Sequence, residues 1–265
     1  MIFQTPKSSG QTDIEWLKYS RWCAKKCIPP IMIDLYHLIE RRLQKSRQCL
    51  HQSGLPLLKR TLLDELFPGS KDYTVAVPMQ HLYADIGSLP LAELTILGAI
   101  SRYTNPRSVF EIGTYRGLST LAIAMNTPDD TELFTLDLDK QNRNVTKYPM
   151  EMGGIEASSF PVGEYYHGSV HERKIQQLYG DSANFDFAPF TGSIDLIFID
   201  GNHLYENVKT DSFNAFRMLR SKGVIIWDDY HAGYPGVMKC LHELAESKPL
   251  ARIAKTRLVV YRSDR

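Results

Sequence analysis

Residues 108–120 read Ser-Val-Phe-Glu-Ile-Gly-Thr-Tyr-Arg-Gly-Leu-Ser-Thr: a short apolar run that carries one acid, halts at Gly113 and meets a second glycine at Gly117. Leu118, Leu121, Ile123 and Ala124 then open a helical pattern. This predicts a buried strand, a tight turn and a helix N-terminus. Glycines let the turn's backbone approach a ligand closely, and a helix start supplies N–H groups that lack intrahelical partners. A turn of this kind after the first strand of an α/β sheet is where nucleotide-like ligands bind. The spacing, E-x-G-x-x-x-G, is not the G-x-G-x-x-G of dinucleotide turns. Glu111 would repel a pyrophosphate but not an amino or sulfonium group. The spacing therefore argues against a nicotinamide-dependent oxidoreductase on the same architecture.

The turn resembles motif I of the class I S-adenosylmethionine (SAM) methyltransferases. Leu133-Phe-Thr-Leu-Asp137 predicts a second strand ending in an acid. It lies about 20 residues beyond the turn, where a carboxylate accepts hydrogen bonds from ribose hydroxyls. Asp139 lies beyond that strand end and is expected to face solvent.

A second block runs from Ile194-Asp-Leu-Ile-Phe-Ile-Asp200 through Gly-Asn-His203-Leu-Tyr205 to Asp211. Its continuous apolar start suits a strand covered on both faces. Gly223-Val-Ile-Ile-Trp-Asp228-Asp229-Tyr230-His231 repeats the device. Matched strand ends would gather Asp200, Asp228 and Asp229 over one crevice. Clustered carboxylates call for a compensating cation, and oxygen ligands favour Mg²⁺, Mn²⁺ or Ca²⁺. Such an ion could hold a substrate hydroxyl and lower its pKa. His203 is the expected general base because imidazole titrates near neutrality; His231 and a metal-bound water compete for the role.

Together, F-I-D-G-N-H-x-Y-x-x-V-x-x-D and L-x-x-x-G-V-I-I-W-D-D-Y resemble the methyltransferase family that includes macrocin O-methyltransferase and the cephalosporin-biosynthesis enzymes. Catechol O-methyltransferase is a more distant relative. The resemblance covers about residues 85–262. It implies a Rossmann-like, doubly wound α/β fold with a seven-stranded, mostly parallel sheet whose last strand is antiparallel. It also implies a SAM-dependent O-methyltransferase acting on a hydroxylated small molecule, with Asp200, Asp228 and Asp229 as ligands of Mg²⁺ or another divalent cation. Glu111, Gly113, Thr114, Tyr115, Gly117, Ser119, Asp137 and Ser169 are the expected cofactor contacts, and His203 and Asp200 the expected catalytic pair. Macrolide-sugar members carry D-G-D where this chain has Asp200-Gly-Asn202, which turns attention to His203 as base and away from a sugar substrate. A binding or assembly protein that kept the sheet without the chemistry is the alternative class, and the three intact acids speak against it.

At 265 residues the chain can bury one α/β core plus an extension. The expected division is 1–84, a helical extension, and 85–265, the methyltransferase domain. The 31 basic and 30 acidic side chains nearly cancel, so nothing global points to nucleic acid. Residues 1–60 nevertheless hold 11 Lys and Arg against 4 Asp and Glu. There Met32, Leu35, Tyr36, Ile39 and Leu43 form a helical stripe, expected to pack on its own domain or a second subunit, with an anionic membrane surface as the lesser alternative. A homo-oligomer follows from that expectation. The four cysteines, Cys23, Cys27, Cys49 and Cys240, show no zinc spacing. Without an apolar span or signal-peptide pattern, a cytoplasmic location is expected.

Periodicity predicts helices at 91–103, 140–150, 171–179, 205–220 and 235–247. It predicts further strands near 164–167, ending at Ser169, and in a closing antiparallel pair around Ala251 and Leu258.

Overall fold

The computed structural model describes residues 58–83, 87–139, 146–148 and 160–263. All belong to one compact unit, Gly54–Arg265. The basic stripe, Cys23, Cys27, Cys49 and nearly all of the expected 140–150 helix lie outside the described residues; the described part of that helix, 146–148, is not helical.

The strands are β1 (Arg60–Thr61), β2 (Ser108–Ile112), β3 (Glu132–Asp137), β4 (Ile175–Tyr179), β5 (Ile194–Ile199), β6 (Leu219–Trp227), β7 (Ala251–Ile253) and β8 (Val259–Arg262). The helices are a single turn α1 (Leu63–Leu66), then α2 (Leu91–Thr104), α3 (Leu118–Met125), α4 (Tyr205–Met218) and α5 (Pro235–Ala245). The sheet order is β1-β7-β8-β6-β5-β2-β3-β4. Only β8 runs against the rest. The eighth strand, beyond the seven expected, is β1, two residues that pair with β7 at the sheet edge. Arg60 and Thr61, within the expected extension, thus belong to the sheet itself.

Central strands β2 and β5 are buried almost throughout, as their apolar runs require. Val109, Leu133, Leu196, Phe198, Val224 and Ile226 form the core with Leu94, Leu97 and Ile100 of α2 and Ala122 and Ile123 of α3. Gly98 lets α2 come close to the segment before it, since an added Cβ would lie 2.5 Å from Val75 Cγ1. Asn126 exchanges two hydrogen bonds with Ala76, at 2.9 and 2.7 Å, and so pins that segment to the end of α3.

Two predicted elements are different in the structure. Residues 164–167 form turns, and the fourth parallel strand is Ile175–Tyr179, where a helix was expected. β4 is the sheet's edge, so it lacks the apolar run of a strand covered on both faces. The segment is tied to the glycine turn instead: Gly163 N–H donates to the Tyr115 carbonyl (2.9 Å) and Tyr165 N–H to that of Arg116 (2.8 Å). Phe185, Phe187 and Phe190 pack over β2 and β3, with Phe190 5.0 Å from the Phe134 ring and 4.9 Å from Phe110. Among the described residues, no helix is long and apolar enough to cross a membrane.

Candidate functional site

The chain runs β2, β3, β4 to one side and then returns to β5 and β6 on the other, so the sheet's switch point lies between β2 and β5. Their carboxyl ends are level. Asp200 N–H donates to the Ile112 carbonyl (2.8 Å) and Asp228 N–H to that of Ile199 (3.1 Å). Gly113, Asp137, Asp200 and Asp228 therefore line one edge.

Gly113 has φ +97°, and an added Cβ would sit 2.0 Å from the Asp200 carbonyl oxygen. Gly117 has φ +81°, and its Cβ would meet the Tyr166 ring at 2.6 Å. Both glycines are thus demanded by the protein's own packing, where the sequence suggested ligand approach. Gly117 also caps α3 without a side-chain hydrogen bond to the helix start. The Asp137 carboxylate closes the turn: Oδ2 accepts from Thr114 N–H (3.0 Å) and Tyr115 N–H (2.6 Å), Oδ1 from Leu138 N–H (2.6 Å). Tyr115 adopts φ +50° to make this possible.

Glu111 and Ser119, both expected to touch the cofactor, are joined to each other. Glu111 is fully buried and accepts from Ser119 Oγ (2.6 Å), Thr135 Oγ1 (2.5 Å) and Thr120 Oγ1. Burial pushes its carboxyl up to about 7 even though the three hydroxyls act in the opposite sense. The group fastens the start of α3 to β2 and β3. Thr114 is buried as well and shares a 2.6 Å hydrogen bond with Thr135. Ser169 precedes β4, so it does not stand at that strand's carboxyl end as expected. That place belongs to Gly180-Asp181-Ser182, with Gly180 N–H on the Asp137 carbonyl (2.9 Å). The signal that points to this place is the Gly180-Asp181-Ser182 turn itself, which directly follows residues 171–179.

The acidic end gathers His203 and Arg257 beside the three expected acids. Asp229, with φ +62°, presents Oδ2 to His203 Nε2 at 2.7 Å and Oδ1 to Arg257 Nη1 at 2.9 Å. Asp200, His203 and Asp229 each offer a donor atom within 4.8 Å of the others. Asp228 Oδ2 meets Arg257 Nη2 at 3.1 Å, while its buried Oδ1 has no hydrogen-bond partner among the described residues. Burial, then Asp228 and Asp229, raise the Asp200 carboxyl well above the usual carboxylate range. Burial and Asp229 push Asp228 up to about 8. Asp229 goes the other way: its burial is outweighed by hydrogen bonds from His203 and His231 and by Arg257, which hold it low.

His203 stacks on Tyr234 at 3.8 Å, and the first turn of α5 closes on its backbone at Gly236, whose Cβ would lie 2.4 Å from the His203 carbonyl oxygen. His231 lies 3.6 Å from Asp229 and accepts at Nδ1 from Gly233 N–H (3.0 Å), which places its proton on Nε2.

Residues 110–230 match a family model described as a methyltransferase domain. With the strand order and the turn closed by Asp137, that match makes residues 110–230 similar to the class I SAM methyltransferases. Among particular proteins, it is 25% identical over 154 residues to a caffeoyl-CoA O-methyltransferase of Stellaria longipes, 56% of either chain. It is 26% identical over 124 residues to that of Pinus taeda, 42% of this chain and 46% of that one. The chain spans about half the length of the curated relatives it matches. A candidate caffeoyl-CoA O-methyltransferase from Staphylococcus aureus has a similar fold, with a TM-score of 0.53 at 14% identity over 76% of this chain and 97% of that one. The O-methyltransferase TomG from Streptomyces achromogenes, involved in tomaymycin synthesis and solved with SAM, gives 0.50 at 15% identity over 78% and 92%.

Proposed function

We propose that this chain is a SAM-dependent O-methyltransferase that methylates a hydroxyl of a small molecule with the help of a divalent cation. The observation that carries the reading is the single sheet edge that sets the Gly113–Gly117 turn and Asp137 beside the Asp200–His203–Asp229 cluster. The cofactor would supply an activated methyl group, so alignment and exclusion of water do most of the work.

On this reading Asp137, oriented by the Thr114 and Tyr115 amides, holds the nucleoside's sugar, and Gly180 to Ser182 frame its base. Gly113 and Gly117 shape the turn, and Glu111 and Ser119 stiffen it from beneath. Asp200 and Asp229 would hold the cation, whose chemistry is to bind and acidify the hydroxyl. Their desolvated, mutually repelling carboxyls fit such an ion. His203 takes the hydroxyl proton, and Asp229 Oδ2, 2.7 Å away, balances the imidazolium charge. Caffeoyl-CoA O-methyltransferase relatives support the hydroxyl as acceptor. We keep the expectations of a homo-oligomer and a cytoplasmic location as proposals.

Calorimetric titration with SAM and S-adenosylhomocysteine tests the cofactor. Heat from neither would leave only a binding module on this fold. A screen of hydroxylated metabolites with methyl-labelled SAM then identifies the acceptor.

A further inference from the structure

One side chain at this edge belongs to no motif. Arg257 lies in the loop between β7 and β8 and reaches three carboxylates at once. Its Nη2 is 2.9 Å from Glu93 Oε2 and 3.1 Å from Asp228 Oδ2, and its Nη1 is 2.9 Å from Asp229 Oδ1. Its backbone is pinned on both sides: the N–H donates to Glu93 Oε1 (2.8 Å) and the carbonyl accepts from Tyr230 N–H (3.0 Å). Glu93 and Asp228 are buried, and the guanidinium is about a third exposed. A planar fork of five donors is suited to bridging several carboxylates, which an ammonium cannot do.

We propose that Arg257 is a positioning residue of the methyl-transfer site, the resident cation of the Glu93–Asp228–Asp229 cluster, and that it competes with the divalent ion for Asp228 and Asp229. It supplies permanently part of the charge that a bound ion supplies only when present. It thereby holds Asp228 by Oδ2 and keeps Asp229 with Oδ2 on His203. The proposal rests on the cation reading above for its meaning in catalysis, while the ion pairs themselves stand apart from it.

Competition predicts a gain where a merely structural ion pair predicts a loss. Mn²⁺ binding to the full chain is measured by the electron paramagnetic resonance of the free ion, for the wild type, Arg257→Met and Arg257→Lys. Removing one positive charge from beside the ion and releasing two carboxylates should tighten Mn²⁺ binding by roughly tenfold or more in Arg257→Met. Arg257→Lys, whose ammonium covers fewer oxygens, should fall between the two. Excess Mn²⁺ should also restore most of the melting temperature that Arg257→Met loses in EDTA. If Arg257→Met proves too unstable to assay, Arg257→Lys carries the same test. Either variant binding Mn²⁺ no more tightly than the wild type overturns the proposal. SAM titration on the same samples separates the two readings. Protein that binds SAM but shows no tightening sinks the role of Arg257 alone, and tightening without SAM binding sinks the methyltransferase reading alone.

Discussion

Gly113→Ala separates what the fold demands from what a ligand demands. The residue has φ +97°, and its added Cβ would lie 2.0 Å from the Asp200 carbonyl oxygen, 2.6 Å from that carbonyl carbon and 2.9 Å from Gly201 N. All three are backbone atoms held by the Asp200 N–H bond to Ile112, so no rotamer change relieves the overlap. Two costs combine. Left-handed backbone in a residue with a Cβ costs roughly 1–2 kcal/mol. Forcing two packed strand ends apart adds roughly 1–3 kcal/mol, the usual range for overpacking. Gly168→Ala is the control, because Gly168 has φ +75° with nothing within 4 Å of its added Cβ. It should show the backbone cost alone. Equilibrium denaturation of both variants, without any ligand, should find Gly113→Ala less stable than Gly168→Ala by about 2 kcal/mol. Equal losses would refute the assignment of Gly113 to strand packing.

Three further outcomes are expected. Burial raises Glu111 from 4.5 to about 7, so the folded state keeps a proton that the unfolded state has released; the resulting stability is complete below pH 4.5 and is lost as pH rises through about 7. The wild type should therefore lose about 3 kcal/mol relative to Glu111→Gln across that window, and a pH-independent difference in denaturation midpoints would contradict it. Asp137→Ala should weaken SAM binding by roughly a hundredfold or more in calorimetry, the cost of about two charge-assisted hydrogen bonds, and an unchanged affinity would remove Asp137 from the cofactor site. Methylation of an identified acceptor should collapse in EDTA and return with Mg²⁺; activity indifferent to the chelator would take Asp200 and Asp229 off the ligand list.

Local pattern was enough for the elements whose environment is uniform along their length. β2 and β5 are mainly apolar, with Glu111 and Asp195 the acids within them, because they are buried between neighbouring strands; Gly113 after β2 and Asp200 after β5 mark where the sheet stops. The same logic placed α2, α3, α4, α5 and the closing β7–β8 pair. It failed at β4, where an edge position permits Gln176 and Gln177 in a strand. Gln177 there bonds Tyr166 Oη (2.7 Å) and Thr114 Oγ1 (3.2 Å) and is as essential to the layer as an apolar residue.

What the chain's order of residues determined by itself was the alternation of strands and helices, the bend at Gly113 and Gly117, and the set of acids delivered to one edge. Periodicity and turn chemistry act over a few residues, and those features need nothing more. Tertiary structure alone decided how the acids are spent. Glu111 turns inward because α3 folds Ser119 and Thr120 back over it and β3 brings Thr135 alongside. Asp228 is held by Arg257, 29 residues further on, which reaches its Oδ2 at 3.1 Å. The partner of a buried charge is chosen by whatever the completed packing places within about 3 Å, and no spacing along the chain encodes that distance.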